Sequence, residues 1–427
     1  MKKGRVFIVA ILALIFFGIV QCKKESVAPG DTFEEMARDQ FHLLMQDWYL
    51  WYTEMPDVDV ENYRSAYELL EALRYLPIDV WSYITTKEEW DAYYEQGAYA
   101  GHGFGYTYDQ DGNAWIIFVF RDSDMFTEGV ARGWQILKIN GTTIQPFTNI
   151  TGYMNGTTAG TMDAFEFRKP DGSIVNVTST RKEIIMNTVL HSDTLHVNGE
   201  IVGHVVFKSF IEPSIQELDS VFGAFQSHGV TKLILDLRYN GGGRMDVAVK
   251  LASLISGSSN AGNVFIKYTH NDKQAPSYDQ SIPFTDETNA LNISEVIIFS
   301  TRSTASASEA IINGLKPYMN VVTIGDNTYG KPVGMYAWTY AEKLVFVPVS
   351  FKTVNANDEG DYYNGLSADS YVPDGYAYDF SDRNETYLKE AIYYLTTSGF
   401  SGSTSSLKSF YIPSLEKKGL QFEIGAE

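Results

Sequence analysis

Apolar positions near the start of the chain recur with the spacing of an amphipathic helix. Thr32 and Glu35 form the capping-box pattern that starts a helix, so the spacing predicts a helix directly after Thr32. A second helix is predicted over 61–75 and ends at Pro77. Segment 32–98 is therefore expected to be a small helical region whose aromatic stripe forms a core. The stripe consists of Phe33, Ala37, Phe41, Leu44, Trp48 and Trp51.

Short alternating segments replace the helical pattern between residues 101 and 181. A strand is predicted at 115–120, and the dipeptide Asn140-Gly141 marks a tight turn. The segment 99–185 is thus predicted to be a separate β-rich region.

Strand-like and helix-like patterns alternate over residues 186–400. Such alternation is typical of an α/β fold in which helices cover the faces of a sheet. Strands are predicted at 202–207, 233–237, 296–300, 321–325 and 344–351, and helices at 215–225, 245–255 and 306–319. Residues 401–427 begin with a Ser-rich stretch and are expected to form a C-terminal extension on the surface.

The first 22 residues differ in character from the rest of the chain. Lys2, Lys3 and Arg5 precede an uninterrupted apolar run over 6–20, which is short for a membrane span and typical of a signal peptide. Cys22 closes this run and resembles the lipidated residue of a bacterial lipoprotein. The alternative is an incidental cysteine in an anchor segment.

The signal-peptide pattern of residues 1–22, called the leader below, predicts where the protein is found. A lipid on Cys22 would anchor it to a bacterial membrane, in the periplasm or facing the outside. Residues 23–31 are then expected to be a tether between that lipid and the folded chain.

Charge and cysteine content narrow the classes of partner. The formal net charge is −20, and it becomes −23 without the three basic residues of the leader. So acidic a chain is a poor partner for nucleic acids or anionic lipid surfaces, and membrane contact is expected only through the lipid. Cys22 is the only cysteine, so no disulfide within the chain is expected.

Cofactor motifs are not found in the sequence. The histidines show no zinc-site spacing, and Gly241–Gly243 lacks the lysine of a phosphate-binding loop. Neither a metal nor a cofactor is therefore expected.

One serine and one lysine are the candidates for a nucleophile and a base. Ser306 lies where the strand at 296–300 leads into a helix, and Lys331 follows 25 residues later in a loop. A serine hydroxyl needs a proton acceptor beside it, and a lysine can serve once burial leaves its amine neutral. The strand at 233–237 leads into Gly241–Gly243, whose N–H groups would suit a developing oxyanion.

Each of these features also has a plainer interpretation. Ser306 could be a helix cap, Lys331 a solvated surface charge, and the three glycines a tight turn.

Three motifs together resemble the C-terminal processing peptidases, also called tail-specific serine proteases. The likeness extends over residues 80–380. It implies an α/β multidomain chain with a crotonase-like α/β peptidase domain over 186–400, a PDZ-like domain over 99–185 and a small N-terminal helical cap. The motifs are Leu235-Asp236-Leu237-Arg238-Tyr239-Asn240-Gly241-Gly242-Gly243, Ser306-Ala307-Ser308-Glu309 and Thr328-Tyr329-Gly330-Lys331.

The resemblance implies roles for the catalytic residues. Ser306 is the expected nucleophile, with Ser303 and Ser308 as nearby alternatives, and Lys331 is the expected general base. The oxyanion is expected to be held by the N–H of Ala307, together with that of Gly242 or Gly243.

Two residues of the first motif are treated as structural, and one further segment is given no role. Asp236 and Arg238 are expected to pair with one another or with a neighbouring loop. Pro373 and Asp374 follow Asn364-Gly365-Leu366 in an incomplete match to the family's closing region, and no role is carried over from them.

Residues 99–185 resemble a PDZ domain, which binds peptides by strand addition and holds their terminal carboxylate with N–H groups. Residues 129–141 are similar to the PDZ helix-to-strand run, although Trp134 stands where these domains usually carry aspartate. Gly103, Phe104, Gly105 and Tyr106 are similar to the carboxylate-binding loop. The expected partners are therefore the C-terminal tails of polypeptides.

Two residues leave the identity and orientation of the base open. Many relatives carry a glutamine four residues after the lysine, and here Met335 occupies that position. Something else must then orient Lys331, or the activity is weaker than in typical members. His102 is an alternative base, because some relatives of the fold pair serine with histidine; otherwise it is a loop or core histidine.

The expected function is that of an exported serine endopeptidase, which cleaves polypeptides near their C-termini through an acyl-enzyme. One alternative is a non-catalytic binding protein on the same scaffold, with a peptide or an apolar molecule as its ligand. Another is a substrate-presenting lipoprotein whose serine–lysine pair is idle.

Overall fold

The computed structural model of the chain describes residues 32–402 and 418–427. The predicted signal peptide over 1–22, the lipidation site Cys22 and the tether over 23–31 lie outside these residues and stay predictions. None of the helices within the two described ranges has the length and apolar character that crossing a bilayer requires.

The N-terminal region consists of helices that pack beside one β-strand. The predicted capping box is formed: the Thr32 N–H donates to Glu35 Oε2 at 2.7 Å, and the Glu35 N–H donates to Thr32 Oγ1 at 3.3 Å. The second helix is shorter than expected, because the Ser65 hydroxyl accepts the Glu68 N–H and starts the helix there. The elements are α1 (Phe33–Trp48), α2 (Ala66–Leu73), β1 (Tyr83–Thr86) and α3 (Lys87–Tyr94).

The β-rich region follows, over residues 98–185. Its elements are β2 (Ala98–Gly101), β3 (Phe104–Tyr108), β4 (Ala114–Val119), α4 (Asp124–Thr127), β5 (Gln135–Ile139), β6 (Thr142–Thr143), β7 (Met162–Arg168), β8 (Ile174–Thr180) and β9 (Lys182–Ile185). One sheet has the order β3-β4-β5-β7-β8, with β6 paired to β5, and β2 pairs with β9. Apolar side chains on one face of the larger sheet form the core, among them Phe104, Ile116, Ile136 and Phe165.

The remaining elements form the α/β region. They are β10 (Val189–Val197), β11 (Glu200–Phe207), α5 (Ser214–Ser227), β12 (Lys232–Asp236), α6 (Met245–Ser256), β13 (Val264–His270), α7 (Ala275–Tyr278), β14 (Gln280–Pro283), β15 (Glu295–Ser300), α8 (Ala307–Leu315), β16 (Asn320–Gly325), β17 (Val333–Met335), β18 (Trp338–Tyr340), β19 (Leu344–Val347), β20 (Val349–Asn355), β21 (Ser370–Tyr371), α9 (Thr386–Thr397) and α10 (Leu420–Ile424). The predicted mixed α/β fold is confirmed.

A six-stranded sheet with the order β10-β11-β12-β15-β16-β21 lies at the centre of this region. β10 runs antiparallel to β11, and all other neighbouring pairs are parallel. Helices α5, α6 and α8 cover one face of the sheet and α9 covers the other. The carboxyl ends of β12, β15 and β16 meet at one edge, and each leads into one of the three sequence motifs.

One predicted strand is wrong. The run 344–351 forms two strands in different sheets: β19 lies in the order β1-β19-β18, and β20 in the order β14-β13-β20-β17. Pro348 separates them, because proline has no N–H to continue a ladder. The pairing of β1 with β19 fastens the N-terminal region to the α/β region.

The last ten residues are not the surface extension that the sequence suggests. Leu420, Ile424 and Ala426 are buried in an apolar cluster with Tyr94 and Phe118. The expectation is therefore wrong for 418–427. The Ser-rich composition at the start of the extension says nothing about apolar burial further along.

Candidate active site

Ser306 occupies a strained turn between β15 and α8. Its backbone φ is +55° and ψ is −116°, a region that residues other than glycine rarely adopt and that clusters at functional sites. The turn is held from outside, since the Tyr329 N–H donates to Thr304 O at 2.9 Å and the Thr304 hydroxyl donates to Leu237 O at 2.8 Å. Strain maintained in this way fixes the direction of the Ser306 side chain.

The two alternative serines are placed differently. Ser308 is fully buried, and its hydroxyl donates to Asn240 O at 3.0 Å. Ser303 is exposed at the surface of the preceding turn. Neither lines the cavity that contains Ser306.

Lys331 lies in the loop between β16 and β17, and only 4% of the residue is exposed. It lines the same cavity as Ser306. Burial lowers the pKa of Lys331, and the carboxylates of Glu423, Glu309 and Asp79 offset part of that shift. The surface-charge interpretation of Lys331 is therefore wrong, and burial shifts its equilibrium towards the neutral amine that a base requires.

One buried carboxylate joins the two loops. Glu309 Oε2 accepts the N–H of Ser306 at 2.9 Å and the N–H of Lys331 at 2.8 Å. Its Oε1 accepts the Gly330 N–H at 2.7 Å and the Thr328 hydroxyl at 2.6 Å. Burial raises the pKa of Glu309 even against these four hydrogen bonds. A single side chain thus sets the position of nucleophile and base relative to each other.

Met335 forms part of the cavity wall and offers no strong hydrogen-bonding group to the lysine. The lysine loop is instead held through its backbone by Glu309, and Glu423 Oε1 lies 4.0 Å from Lys331 Nζ. Leu366, from the region given no role in the sequence, donates its N–H to the Thr328 hydroxyl at 2.7 Å and so supports the same loop.

The glycine loop lies directly against the nucleophile. A Cβ on Gly242 would come within 2.8 Å of the Ser306 Cβ and 3.1 Å of the Ala307 nitrogen. The Gly242 N–H is already engaged, because it donates to Asn240 Oδ1 at 2.9 Å. Within 32–402 and 418–427, the N–H groups of Gly243 and Ala307 donate to no acceptor. Gly243, rather than Gly242, is therefore the candidate to join Ala307 in the expected oxyanion hole.

Asp236 and Arg238 form the expected pair, which is part of a larger buried network. Arg238 Nε donates to both Asp236 oxygens at 3.0 and 2.9 Å. Its Nη1 lies 2.9 Å from Asp374 and 2.7 Å from Glu385. Arg132 of the β-rich region reaches the same Asp374 at 3.1 Å. The network therefore ties the β-rich region to the α/β region behind the glycine loop.

His102 does not line the cavity. It is fully buried in the β-rich region, where its ring contacts Ser179 Oγ and Asp163 Oδ2 at 2.9 Å each. Burial lowers its pKa, against the effect of Asp163. The core-histidine interpretation is the one that this environment supports.

The predicted carboxylate-binding loop donates to a main-chain oxygen. The N–H groups of His102, Gly103 and Phe104 all point at the Glu427 oxygen, at 2.8, 2.6 and 3.3 Å. Gly105 and Tyr106, also named from the sequence, continue into strand β3. The donor set therefore begins one residue earlier than predicted.

The cavity beside Ser306 has a volume of about 340 Å³. Its walls are mainly apolar and aromatic, and Ser306, Lys331 and Glu423 are among its polar lining residues. The side chains that shape its apolar part are Trp90, Tyr268, Val333, Met335, Tyr336, Val347 and Phe351.

Two carboxylates at this site were missed in the sequence. Glu309 had a usable signal, since Ser306-x-x-Glu309 is a capping-box pattern. Glu423 had none, because nothing in its local sequence relates it to Lys331.

Comparison with family models gives two matches. Residues 201–366 match peptidase family S41, and residues 38–83 match the peptidase S41 N-terminal domain.

Two curated proteases are similar to this chain in sequence. The carboxy-terminal processing protease CtpA of Bacillus subtilis (strain 168) is 24% identical over 284 residues, which cover 65% of this chain and 58% of the relative. The carboxyl-terminal-processing protease of Picosynechococcus sp. is 24% identical over 224 residues, which cover 51% of this chain and 50% of the relative. The chain thus spans less than two thirds of the length of either relative.

Two solved structures share the fold. An S41 protease from Bacteroides fragilis NCTC 9343 superposes with a TM-score of 0.70 at 24% identity, covering 83% of this chain and 96% of that one. The photosystem II D1 C-terminal processing protease gives a TM-score of 0.50 at 17% identity, covering 80% and 94%.

Proposed function

We propose that the protein is a serine endopeptidase that cleaves polypeptides near their C-termini, and the match of residues 201–366 to peptidase family S41 supports this. Ser306 is its nucleophile and Lys331 its general base. The domain is crotonase-like, and the β-rich region acts as a PDZ-like module that receives the tail of the substrate.

The chemistry is an acyl transfer in two halves. Lys331 accepts the Ser306 proton while Oγ attacks the scissile carbonyl, and the N–H groups of Ala307 and Gly243 hold the oxyanion. Lys331 then returns the proton to the leaving amine, and an ester remains on Ser306. Water, deprotonated by Lys331, hydrolyses this ester and releases the second product.

The observation that carries this proposal is the shared carboxylate. Glu309 accepts the N–H of Ser306 and of Lys331 through the same oxygen, at 2.9 and 2.8 Å. A binding protein has no need to align a strained serine with a desolvated lysine. Nucleophilic catalysis does need that alignment.

The cavity supports a preference for apolar substrate side chains. Met335, Tyr336 and Phe351 line the same cavity as Ser306, and burying an apolar side chain there would contribute about 1.5–3 kcal/mol. The residue whose carbonyl is attacked is therefore proposed to be apolar.

The test combines hydrolysis with chemical labelling. The full chain without its leader is incubated with β-casein and with a fluorophosphonate probe, beside the Ser306→Ala and Lys331→Ala variants. Cleavage and labelling that disappear in both variants, with unchanged melting temperatures, support the dyad. Binding of an apolar probe without labelling in any form would favour the binding-protein alternative.

A second proposal concerns the location of the protein. We propose that the cell exports it and that Cys22 carries the lipid that anchors it to the cell envelope. The basic start and apolar run before Cys22 support this. Metabolic labelling with a palmitate analogue should mark the full chain and not the Cys22→Ala variant; equal labelling of both would exclude the anchor.

A further inference from the structure

We propose that residues 418–427 act as an inhibitory segment in cis, occupying the path between the catalytic lysine and the peptide-binding loop until a substrate displaces them. This inference rests on the proposed peptidase function and adds a regulator to it.

The first contact of the segment is with the base. Glu423 is 4% exposed, and its Oε1 lies 4.0 Å from Lys331 Nζ. The Tyr94 hydroxyl donates to its other oxygen, and Lys208 Nζ donates to its main-chain oxygen at 3.3 Å. A carboxylate held in this position stabilises the ammonium form of Lys331, which cannot accept the serine proton.

The second contact is with the glycine loop. A Cβ on Gly241 would come within 3.3 Å of both the ring and the carbonyl oxygen of Phe422. The Phe422 ring also packs on Tyr329, with centroids 5.0 Å apart. The segment thus passes the glycine loop next to the proposed oxyanion hole. A substrate backbone would have to lie in the same place.

The third contact is with the peptide-binding loop. Besides the three N–H groups from His102 to Phe104, the Tyr99 hydroxyl donates to the Glu427 oxygen at 3.2 Å. The Glu427 N–H donates back to Phe104 O at 2.8 Å. Pairing in both directions is how a strand-adding domain holds a peptide, so the loop is filled by the protein's own chain.

Apolar burial fastens the segment between these contacts. Leu420, Ile424 and Ala426 are at most 7% exposed. A ligand that competes with the segment must therefore replace apolar contacts, an ion pair and the hydrogen bonds at the loop together.

The test uses the full chain and measures the rate at which a fluorophosphonate probe labels Ser306. Glu423→Gln keeps the shape of the segment and removes its charge, Ile424→Asp expels it, and Gln421→Ala is a control at an exposed position. We expect labelling and casein cleavage about tenfold faster for the first two variants, the range of ordinary regulatory coupling, and no change for the control.

Two outcomes separate this inference from the peptidase proposal. If wild type and both variants label Ser306 equally fast, the segment is not inhibitory, although the protein is a peptidase. If no form labels, a dye-labelled peptide of residues 418–427 is titrated against the Ile424→Asp chain, with fluorescence polarisation as readout. Binding upholds occupancy of the groove while the catalytic proposal fails, and no binding overturns the inhibitory segment as well.

A separate observation points to a metal site. We infer that His191, Asp193 and His204 bind a divalent transition metal such as zinc. Asp193 on β10 is directly opposite His204 on β11, and His191 lies two residues earlier on the same face of the hairpin. The three donor atoms lie within 4.8 Å of one another.

The donor geometry suits such an ion. Asp193 Oδ2 is 3.4 Å from His191 Nε2, and its Oδ1 is 3.7 Å from His204 Nδ1. Donors around tetrahedral zinc lie about 3.3 Å apart, as bond lengths near 2.0 Å require. The His204 side chain is fully buried, and in the described part of the chain neither of its ring nitrogens has a hydrogen-bond partner. A bound metal would satisfy one of them.

Cobalt(II) is the probe for this site, because its visible spectrum reports a tetrahedral ligand set. The full chain should bind about one equivalent of Co²⁺ and show visible absorption bands. Zn²⁺ should displace the Co²⁺ and raise the melting temperature of the protein. His204→Phe keeps the packing and Asp193→Asn keeps the shape, and both should lose the spectrum, whereas His196→Ala on the same strand should keep it. A spectrum that is absent from wild type, or unchanged in both site variants, overturns the site.

Discussion

Oε1 of Glu423 lies 4.0 Å from Nζ of Lys331, in a setting that excludes solvent from both side chains. Glu423 belongs to helix α10, and Lys331 to the loop after β16, the fifth strand of the central sheet. The charge state of the proposed base is therefore set partly by a residue outside the peptidase motifs.

Replacement of Glu423 by glutamine is expected to move the acid limb of the activity profile to lower pH. Burial lowers the pKa of Lys331, and the charge of Glu423 offsets part of that effect. Only the neutral amine accepts the serine proton, so activity rises as the pH passes through this pKa. Loss of one negative charge lowers the pKa further, and the pH of half-maximal kcat/KM falls with it.

A pH–rate profile of both proteins measures the shift, with Glu342→Gln at an exposed turn as the control. A limb that stays in place would mean that Glu423 is not ionised beside the lysine.

Glu309→Gln is expected to cost both activity and stability. An amide places an NH₂ group against donors that now share a carboxylate, and each unsatisfied buried donor costs about 1–3 kcal/mol. Loss of alignment between Ser306 and Lys331 should lower kcat about 100-fold. Thr328→Ser, which keeps one hydroxyl donor to Glu309, should retain most of the activity, whereas Thr328→Val should not. If Glu309→Gln kept full kcat, Glu309 would have no positioning role.

Asp374→Asn is expected to loosen the contact between the β-rich and α/β regions. Burial alone would raise the pKa of Asp374, but Arg132 and Arg238 outweigh it and hold the pKa below its usual value. Breaking a buried ionic network costs about 3–5 kcal/mol, and urea unfolding at neutral pH should show a loss of that order.

The same prediction has a pH dependence. A group with a lowered folded-state pKa contributes its full stability above the pKa of the unfolded chain and loses it as the pH falls through the folded-state value. The difference between wild type and Asp374→Asn should therefore shrink in acid. A constant difference from neutral pH to strongly acidic pH would show that ionisation of Asp374 is not its source.

Ser306→Gly is expected to be at least as stable as Ser306→Ala, and both variants are expected to be inactive. The φ of +55° at this position costs a residue with a Cβ about 1–2 kcal/mol, which glycine avoids. The greater flexibility of glycine in the unfolded chain destabilises the folded state by roughly 0.5–1 kcal/mol and so offsets part of that gain. Calorimetry of the two variants gives their melting temperatures. A clearly lower melting temperature for Ser306→Gly than for Ser306→Ala would contradict backbone strain at Ser306.

Much of the fold was predictable because it depends on local periodicity. Strand β12, helix α6 and helix α8 lie within two residues of their predicted bounds at most ends, since buried apolar runs and amphipathic spacing reflect contacts of each element with one core. The run 344–351 was misassigned for the same reason: its apolar pattern is continuous, and only Pro348 separates it into two sheets.

What the sequence determined by itself is the set of chemical groups and their order: the glycine loop, Ser306 and Lys331 each follow a predicted strand of one sheet. Parallel strands bring their carboxyl ends to one edge, so this much follows from pattern and topology. Tertiary structure alone decided that Glu423 meets Lys331. Tyr94 and Glu423 touch across 329 positions of sequence, and the histidines meet an aspartate through hairpin register. Such contacts are set by how whole elements pack, and no local pattern of apolar and polar residues encodes them.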